Sequence, residues 1–256
     1  MQSSSKSNDA SKTTTTEEDV RSRGLYVPYT RGGDGGTTRL MSKSGCDMIT
    51  IGKSSAVVDC IGSVDELCSV VGLLHEVIKR EKGEEDGNLG VVEDVVMRLM
   101  DVGCIVGSCY KFVKVDDDDK NSNDDDCNGD DKEFNANTHK LPTSSITSLE
   151  SSINEHTISL PPLRNFVLPV NCGVISGHCH VARSVARRAE RDYVKFLNLH
   201  LPCCDSDEYE GSAREVGVYL NRVSDYFFTL ARVYAEEEVV FRKGKEGRRE
   251  GVKRVG

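Results

Sequence analysis

No run of apolar residues approaches the roughly 20 needed to cross a bilayer as a helix, so no membrane partner is expected. The N-terminus carries no apolar h-region, which argues against a secretory signal. None of the ten cysteines forms a C-x-x-C pair, and they read as mostly free thiols of a reducing compartment. The contiguous nucleotide signatures are missing too: there is no G-x-x-x-x-G-K-[ST], and no G-x-G-x-x-G after a strand. The aspartates do not meet the EF-hand pattern. No Glu-x-x-His suggests a di-iron bundle, and no convincing Ser-His-Asp arrangement is found. Strand signal is sparse. His178-Cys179-His180, with Cys172 nearby, could be read as a zinc or copper site. Neighbours on a helix point about 100° apart, however, and no second ligand cluster follows at zinc spacing, so no metal site is expected.

Charge is unevenly placed. Asp116 to Asp131 holds nine aspartates and one lysine, a net −8 in a chain of −9, so the remainder is nearly neutral. The acidic balance therefore says little about the folded part. Residues 116–141 have almost no apolar content and are expected to be a disordered insertion. Residues 1–24 are rich in Ser and Thr but also hold Asp9, Glu17, Glu18 and Asp19. They read as a disordered tail and only weakly as a mitochondrial presequence. Residues 241–256 form a basic tail. The 25–240 stretch between the tails is expected to be one domain.

Five helices are predicted from spacing. Val64 to Lys82 places Leu67, Val70, Val71, Leu74, Val77 and Ile78 on one face, with Ser63 and Glu66 in capping-box register. Leu89 to Ser108 repeats the pattern. Ser144 to His156 is shorter, with Thr147 and Glu150 in capping-box register. Val174 to Leu199 and Ala213 to Glu238 complete the set. Tyr110 to Val115 could pass for a strand. Five helices with so few strands imply an all-α bundle.

Two stretches suggest chemistry. Tyr29 to Leu40 has four glycines in five positions, which forbids a stable helix and lets backbone approach a ligand. In the fourth helix Arg183, Arg187 and Arg191 lie four apart and form one cationic row, with Glu190 beside it. Guanidinium groups stay charged at any working pH and suit carboxylate or phosphate. Taken alone, the row equally fits a solvated basic face.

Read in order with Tyr219 to Arg232, Gly62-Ser-Val-Asp-Glu-Leu67 and Leu160-Pro-Pro-Leu163, these stretches resemble the PduO-type ATP:cob(I)alamin adenosyltransferases. The resemblance covers about residues 26–236. It implies a five-helix bundle that assembles as a homotrimer with active sites between subunits. It implies transfer of the 5′-deoxyadenosyl group of ATP to the cobalt of cob(I)alamin, giving adenosylcobalamin and triphosphate, with Mg²⁺. A non-catalytic carrier or sensor of cobalamin and ATP is the alternative. A cobalamin reductase and an adenosylcobalamin-dependent mutase are the implied partners, and no nucleic acid is. The implied compartment is the mitochondrial matrix, with the cytoplasm as alternative.

Carried over position by position, the resemblance implies Arg187, Arg191 and Glu190 as catalytic residues. It implies ATP contacts at Thr30, Arg31, Gly32, Gly33, Thr38, Lys53, Arg188 and Asn221 as well as those three. Lys43 competes with Lys53. Phe166 is implied near the corrin, although a core phenylalanine fits the sequence as well. Asp65 and Arg183 are implied as a pair bridging subunits. Two departures stand out: Arg31, Gly32 and Gly35 replace residues usual in the family loop, and Val170-Asn171-Cys172-Gly173 stands where a Gly-Gly pair follows the proline.

Overall fold

The computed structural model describes residues 16–41, 48–109, 140–200, 207–241 and 250–253. Five long helices dominate: α2 (Ala56–Lys82), α3 (Leu89–Cys109), α4 (Thr143–Ser159), α5 (Val174–His200) and α6 (Asp207–Val233). A short α1 (Glu17–Ser22) precedes them. The packing order is α3 on α2, α2 on α5, α5 on α6, and α6 on α4. The five-helix architecture expected from spacing is therefore present. Among the described residues no helix is long and apolar enough to cross a membrane.

The core forms where the apolar stripes meet. Val57, Cys60, Val64, Leu67, Val71, Leu74 and Ile78 of α2 are buried at three- and four-residue steps. They face Val92, Val95, Leu99, Val102 and Val106 of α3 on one side. On the other stand Ala182, Val185, Ala186, Ala189, Tyr193 and Phe196 of α5. α5 also packs on α6, where the large rings of Tyr219, Tyr226 and Phe227 are fully buried. The Tyr193 hydroxyl donates to the Ala213 carbonyl at 2.7 Å, so this buried phenol is satisfied.

Several boundaries differ from those predicted. α2 begins eight residues before Val64, because Val57 and Cys60 continue its stripe and Ser55 stands at the N-cap with extended backbone. Ser63 is thus a buried mid-helix residue, and its hydroxyl donates to Asp192 on α5 instead of capping. α4 starts after Pro142, so Thr147 and Glu150 form no capping box; the Thr147 hydroxyl donates to the Ser144 carbonyl at 3.0 Å. α6 stops at Val233, and Glu237–Val240 is a strand. Part of the N-terminal tail forms α1, and Leu141, assigned to the insertion, is buried in the core. Residues 110–139, including Tyr110 to Val115, lie outside the described residues, as do Lys43 and residues 1–15.

Two small sheets complete the fold. Strands β1 (Thr37–Met41) and β2 (Met48–Gly52) form an antiparallel hairpin, with β1 against α3. Strands β3 (Val167–Leu168), β4 (Glu237–Val240) and β5 (Glu250–Lys253) form the second sheet in that order. The basic tail thus contributes a strand. A buried guanidinium fastens this sheet to the bundle: Arg232 Nε donates to Glu238 Oε2 at 3.0 Å, and Nη2 to the Pro161 carbonyl at 2.7 Å. The carbonyl within Leu160-Pro-Pro-Leu163 and the last residue of the Tyr219–Arg232 stretch therefore meet in one contact.

Candidate active site

The glycine-rich loop is a series of tight turns leading into β1. Asp34 N–H donates to the Arg31 carbonyl at 3.2 Å and Gly36 N–H to the Gly33 carbonyl at 3.3 Å. Arg31 has φ 59°, a left-handed conformation uncommon for a residue with a Cβ, and its guanidinium lies 5.6 Å from the Tyr29 ring centroid. Lys53 follows β2, and its N–H donates to the Gly36 carbonyl at 2.8 Å. The hairpin thereby folds Lys53 back over the loop. A Cβ placed on Gly33 would come within 3.1 Å of Lys53 Nζ and 3.2 Å of the Thr37 carbonyl oxygen. A side chain here would crowd the ammonium and the Thr37 carbonyl. Thr38 is half-buried in β1 opposite Ile51, and the Thr30 hydroxyl lies by Gly32.

On α5, Arg187 and Arg191 are exposed one turn apart, on the side away from the core stripe. Arg191 Nη1 donates to the Arg187 carbonyl at 2.9 Å. Glu190 does not turn to this row. Its carboxylate accepts from Asn221 Nδ2 of α6 at 2.9 Å. Arg188 turns the other way and pairs with Glu66 on α2. That pair is one rung of a polar seam along α2 and α5, with Ser63 to Asp192 and Lys195 to Asp59 (3.2 Å) as the others. Their reversed order along the two chains fixes the antiparallel register that sets where Arg187 and Arg191 emerge. The structure thus joins Glu190 to Asn221, and Lys53 to Gly33. It places the loop's hairpin on α3 and the arginine row on α5.

Arg183 is half-buried, with its guanidinium 6.0 Å from the Phe228 ring centroid and its Nε buried without a hydrogen-bond partner. Burial, then the charge of Arg187, pulls its pKa down from the ordinary arginine value. One turn earlier His180 is buried, and its Nδ1 also lacks a partner. Burial, then the Arg183 charge, lowers the His180 pKa from its usual 6.5. Below about pH 6.5 the unfolded chain takes a proton that folded His180 resists, so stability falls as pH drops toward the lowered value. His180→Leu is expected to flatten this slope. Chemical denaturation of both proteins between pH 5 and 8 checks it, and an unchanged slope in the variant would count against the assignment. Asp65 is exposed on α2.

At the bundle end near the N-terminus of α5, Phe166 is 82% exposed, so it is not a core residue. Phe241 N–H donates to the Phe166 carbonyl at 2.7 Å, and its ring is exposed as well. No sequence periodicity could pair these two residues, because a backbone contact between distant segments brings them together. Asn171 and Gly173 have φ 56° and 80°. Asparagine is among the few side chains that tolerate this region, so the turn keeps left-handed geometry without a Gly-Gly pair. The Glu236 side chain lies over Gly173, where a Cβ would come within 2.5 Å of Oε1.

His178 Nδ1 lies 2.8 Å from the Val174 carbonyl and Cys179 is fully buried, its thiol pKa pushed up by burial. His178, Cys179 and His180 therefore do not converge on one point. Among the described residues no group of three or more His, Cys, Asp or Glu could hold a metal ion.

The model of the Cobalamin adenosyltransferase family matches residues 28–234. The human corrinoid adenosyltransferase MMAB is 30% identical over 73% of this chain and 62% of its own length. A corrinoid adenosyltransferase of Bacillus subtilis is 29% identical over 80% of this chain and 84% of its own. Among solved structures, a variant PduO-type ATP:corrinoid adenosyltransferase from Lactobacillus reuteri, complexed with cobalamin and ATP, superposes with a TM-score of 0.57 at 26% identity, covering 80% of this chain and 91% of that one. A second variant of that enzyme, complexed with ATP, gives a TM-score of 0.57 at 25% identity over 80% and 92%. Since the matched stretch runs from before the glycine loop to the end of α6, the chain belongs to the cobalamin adenosyltransferase family.

Proposed function

We propose that this chain transfers the 5′-deoxyadenosyl group of ATP to the cobalt of cob(I)alamin, releasing triphosphate. The cobalt electron pair forms the Co–C5′ bond as the C5′–O bond breaks, and the departing electrons stay on the triphosphate. Cob(I)alamin is itself the nucleophile, so the protein needs to align the two substrates and neutralise the leaving group. The observation that carries this reading is Lys53 Nζ folded back beside Gly33, which puts an ammonium at the glycine-rich turns where the backbone can approach a phosphate. Arg187 and Arg191 supply the remaining positive charge, with Thr30, Arg31, Gly32 and Thr38 along the phosphates.

The assembly proposed is a homotrimer in which the glycine loop of one subunit closes over the arginine row of the next. The separation of the two halves within one chain, on α3 and on α5, supports it. So does the unpartnered Nε of Arg183, which the partner subunit's Asp65 would satisfy. The exposed Phe166 ring is proposed to face the corrin and keep a lower ligand off cobalt, with the exposed Phe241 joined to it through the backbone. Magnesium fits this donor set only as a companion of the nucleotide, since it is commonly held by one or two carboxylates, substrate phosphates and water. Glu190, one residue before Arg191 and now bonded to Asn221, is the carboxylate that would share it. A bound magnesium ion would neutralise phosphate charge. A cobalamin reductase and an adenosylcobalamin-dependent mutase are the proposed partners upstream and downstream.

Anaerobic single turnover with ATP and chemically reduced cobalamin tests the function. One adenosylcobalamin and one triphosphate per occupied site are expected, read by absorbance and anion chromatography. Binding of both substrates with no Co–C bond formed would instead identify a carrier.

A further inference from the structure

Asn221 sits between a group that can only donate and a group that can only accept. Arg222 Nη1 lies 2.9 Å from Asn221 Oδ1, and Asn221 Nδ2 lies 2.9 Å from Glu190 Oε1. A guanidinium has no acceptor and a carboxylate has no donor. The amide is therefore held one way round, with its oxygen toward Arg222 and its nitrogen toward Glu190. Arg222 is itself fastened twice. Its Nε donates to Glu150 Oε1 of α4 at 2.8 Å, and Nη1 also reaches Asp225 Oδ2 at 3.2 Å. The chain Glu150, Arg222, Asn221, Glu190 thus runs from α4 through α6 to α5, and α4 packs on α6 without touching α5 through any comparable interface.

We infer that Arg222, anchored by Glu150, is a positioning residue that fixes the Asn221 amide so that it donates to Glu190 and holds that carboxylate on the α6 side, turned away from the arginine row. The inference rests on the proposed nucleotide site. Arg222 is about a third exposed and its pair with Glu150 is a surface one, so the contact contributes direction more than stability. Without Arg222 the amide keeps only the Glu190 carboxylate as an anchor. Its donation to Glu190 is then held less firmly, and the carboxylate is less well fixed in the orientation its neighbours set.

The test is a double-mutant cycle in anaerobic steady-state kinetics with ATP and reduced cobalamin. Arg222→Met keeps the apolar stem and removes the fork. It is expected to lower kcat/KM for ATP by about tenfold, the loss of one charge-assisted hydrogen bond, with KM for cobalamin unchanged. In an Asn221→Ala background the same change is expected to cost less than about twofold, because no amide remains to orient. Glu150→Gln guards against a folding defect. It is expected to lose about two- to fivefold, again only when Asn221 is present. Equal losses with and without Asn221, or no loss in the parent, would overturn the inference. If Asn221→Ala is silent while Arg187→Ala is crippled, the inference falls and the proposed function stands. If Arg187→Ala is silent as well, the nucleotide site itself is misassigned.

Discussion

Replacing Arg187 with alanine is expected to lower the rate of adenosyl transfer on the order of 10²–10³-fold, the effect of removing one preorganised charge from a developing anion. Arg187 lies on the exposed side of α5, opposite the core stripe formed by Ala182, Ala186, Ala189 and Tyr193. Its side chain supports no packing there, so the fold should persist and melting should change little. Its backbone carbonyl, which accepts from Arg191, is kept in the variant. Arg187→Lys restores a point charge without the planar fork and should recover only part of the loss. The measurement is initial adenosylcobalamin formation under saturating ATP and reduced cobalamin. A kcat within threefold of the parent would remove Arg187 from the chemistry.

The second large effect concerns assembly. Arg183→Met is expected to shift the proposed trimer toward monomer and to reduce activity with it. The Nε of Arg183 is buried with no partner in the single chain, and its guanidinium is desolvated enough for its pKa to fall. Leaving a buried donor unsatisfied is costly, so an acceptor from a second subunit is the economical solution. Truncating one member of a desolvated charge pair costs about 2–5 kcal/mol, or roughly 30- to 4,000-fold in a dissociation constant. Asp65→Asn should weaken the same contact less, because an amide oxygen still accepts. Sedimentation velocity across a concentration series checks both variants. An oligomeric state unchanged by Arg183→Met would separate Arg183 from any subunit interface.

The bundle was legible because helix burial is written locally. Three- and four-residue spacing located every long helix, and α3 and α5 were matched almost to their ends. Errors fell at termini, where capping is decided by neighbours. Ser63 and Glu66 look like a capping box in one dimension. In the fold they lie within the helix, Ser63 buried and Glu66 exposed, bonded to Asp192 and Arg188 on α5. The end of α6 was overextended because Glu237–Val240 has helix-compatible residues. What makes it a strand is its pairing with Val167–Leu168 and Glu250–Lys253, far away in the chain.

Residue order alone determined that this chain builds a helical bundle with an arginine row on its fourth long helix and a glycine loop near its start. Those features depend on local period and on backbone freedom, which each short stretch carries for itself. Only the tertiary structure decided which partners these groups take. It put Lys53 on Gly33, turned Glu190 to Asn221 and Arg188 to Glu66, and set Phe241 beside Phe166. Each of these is a contact between distant segments, and its direction follows from how helices and strands pack, a property no single stretch contains.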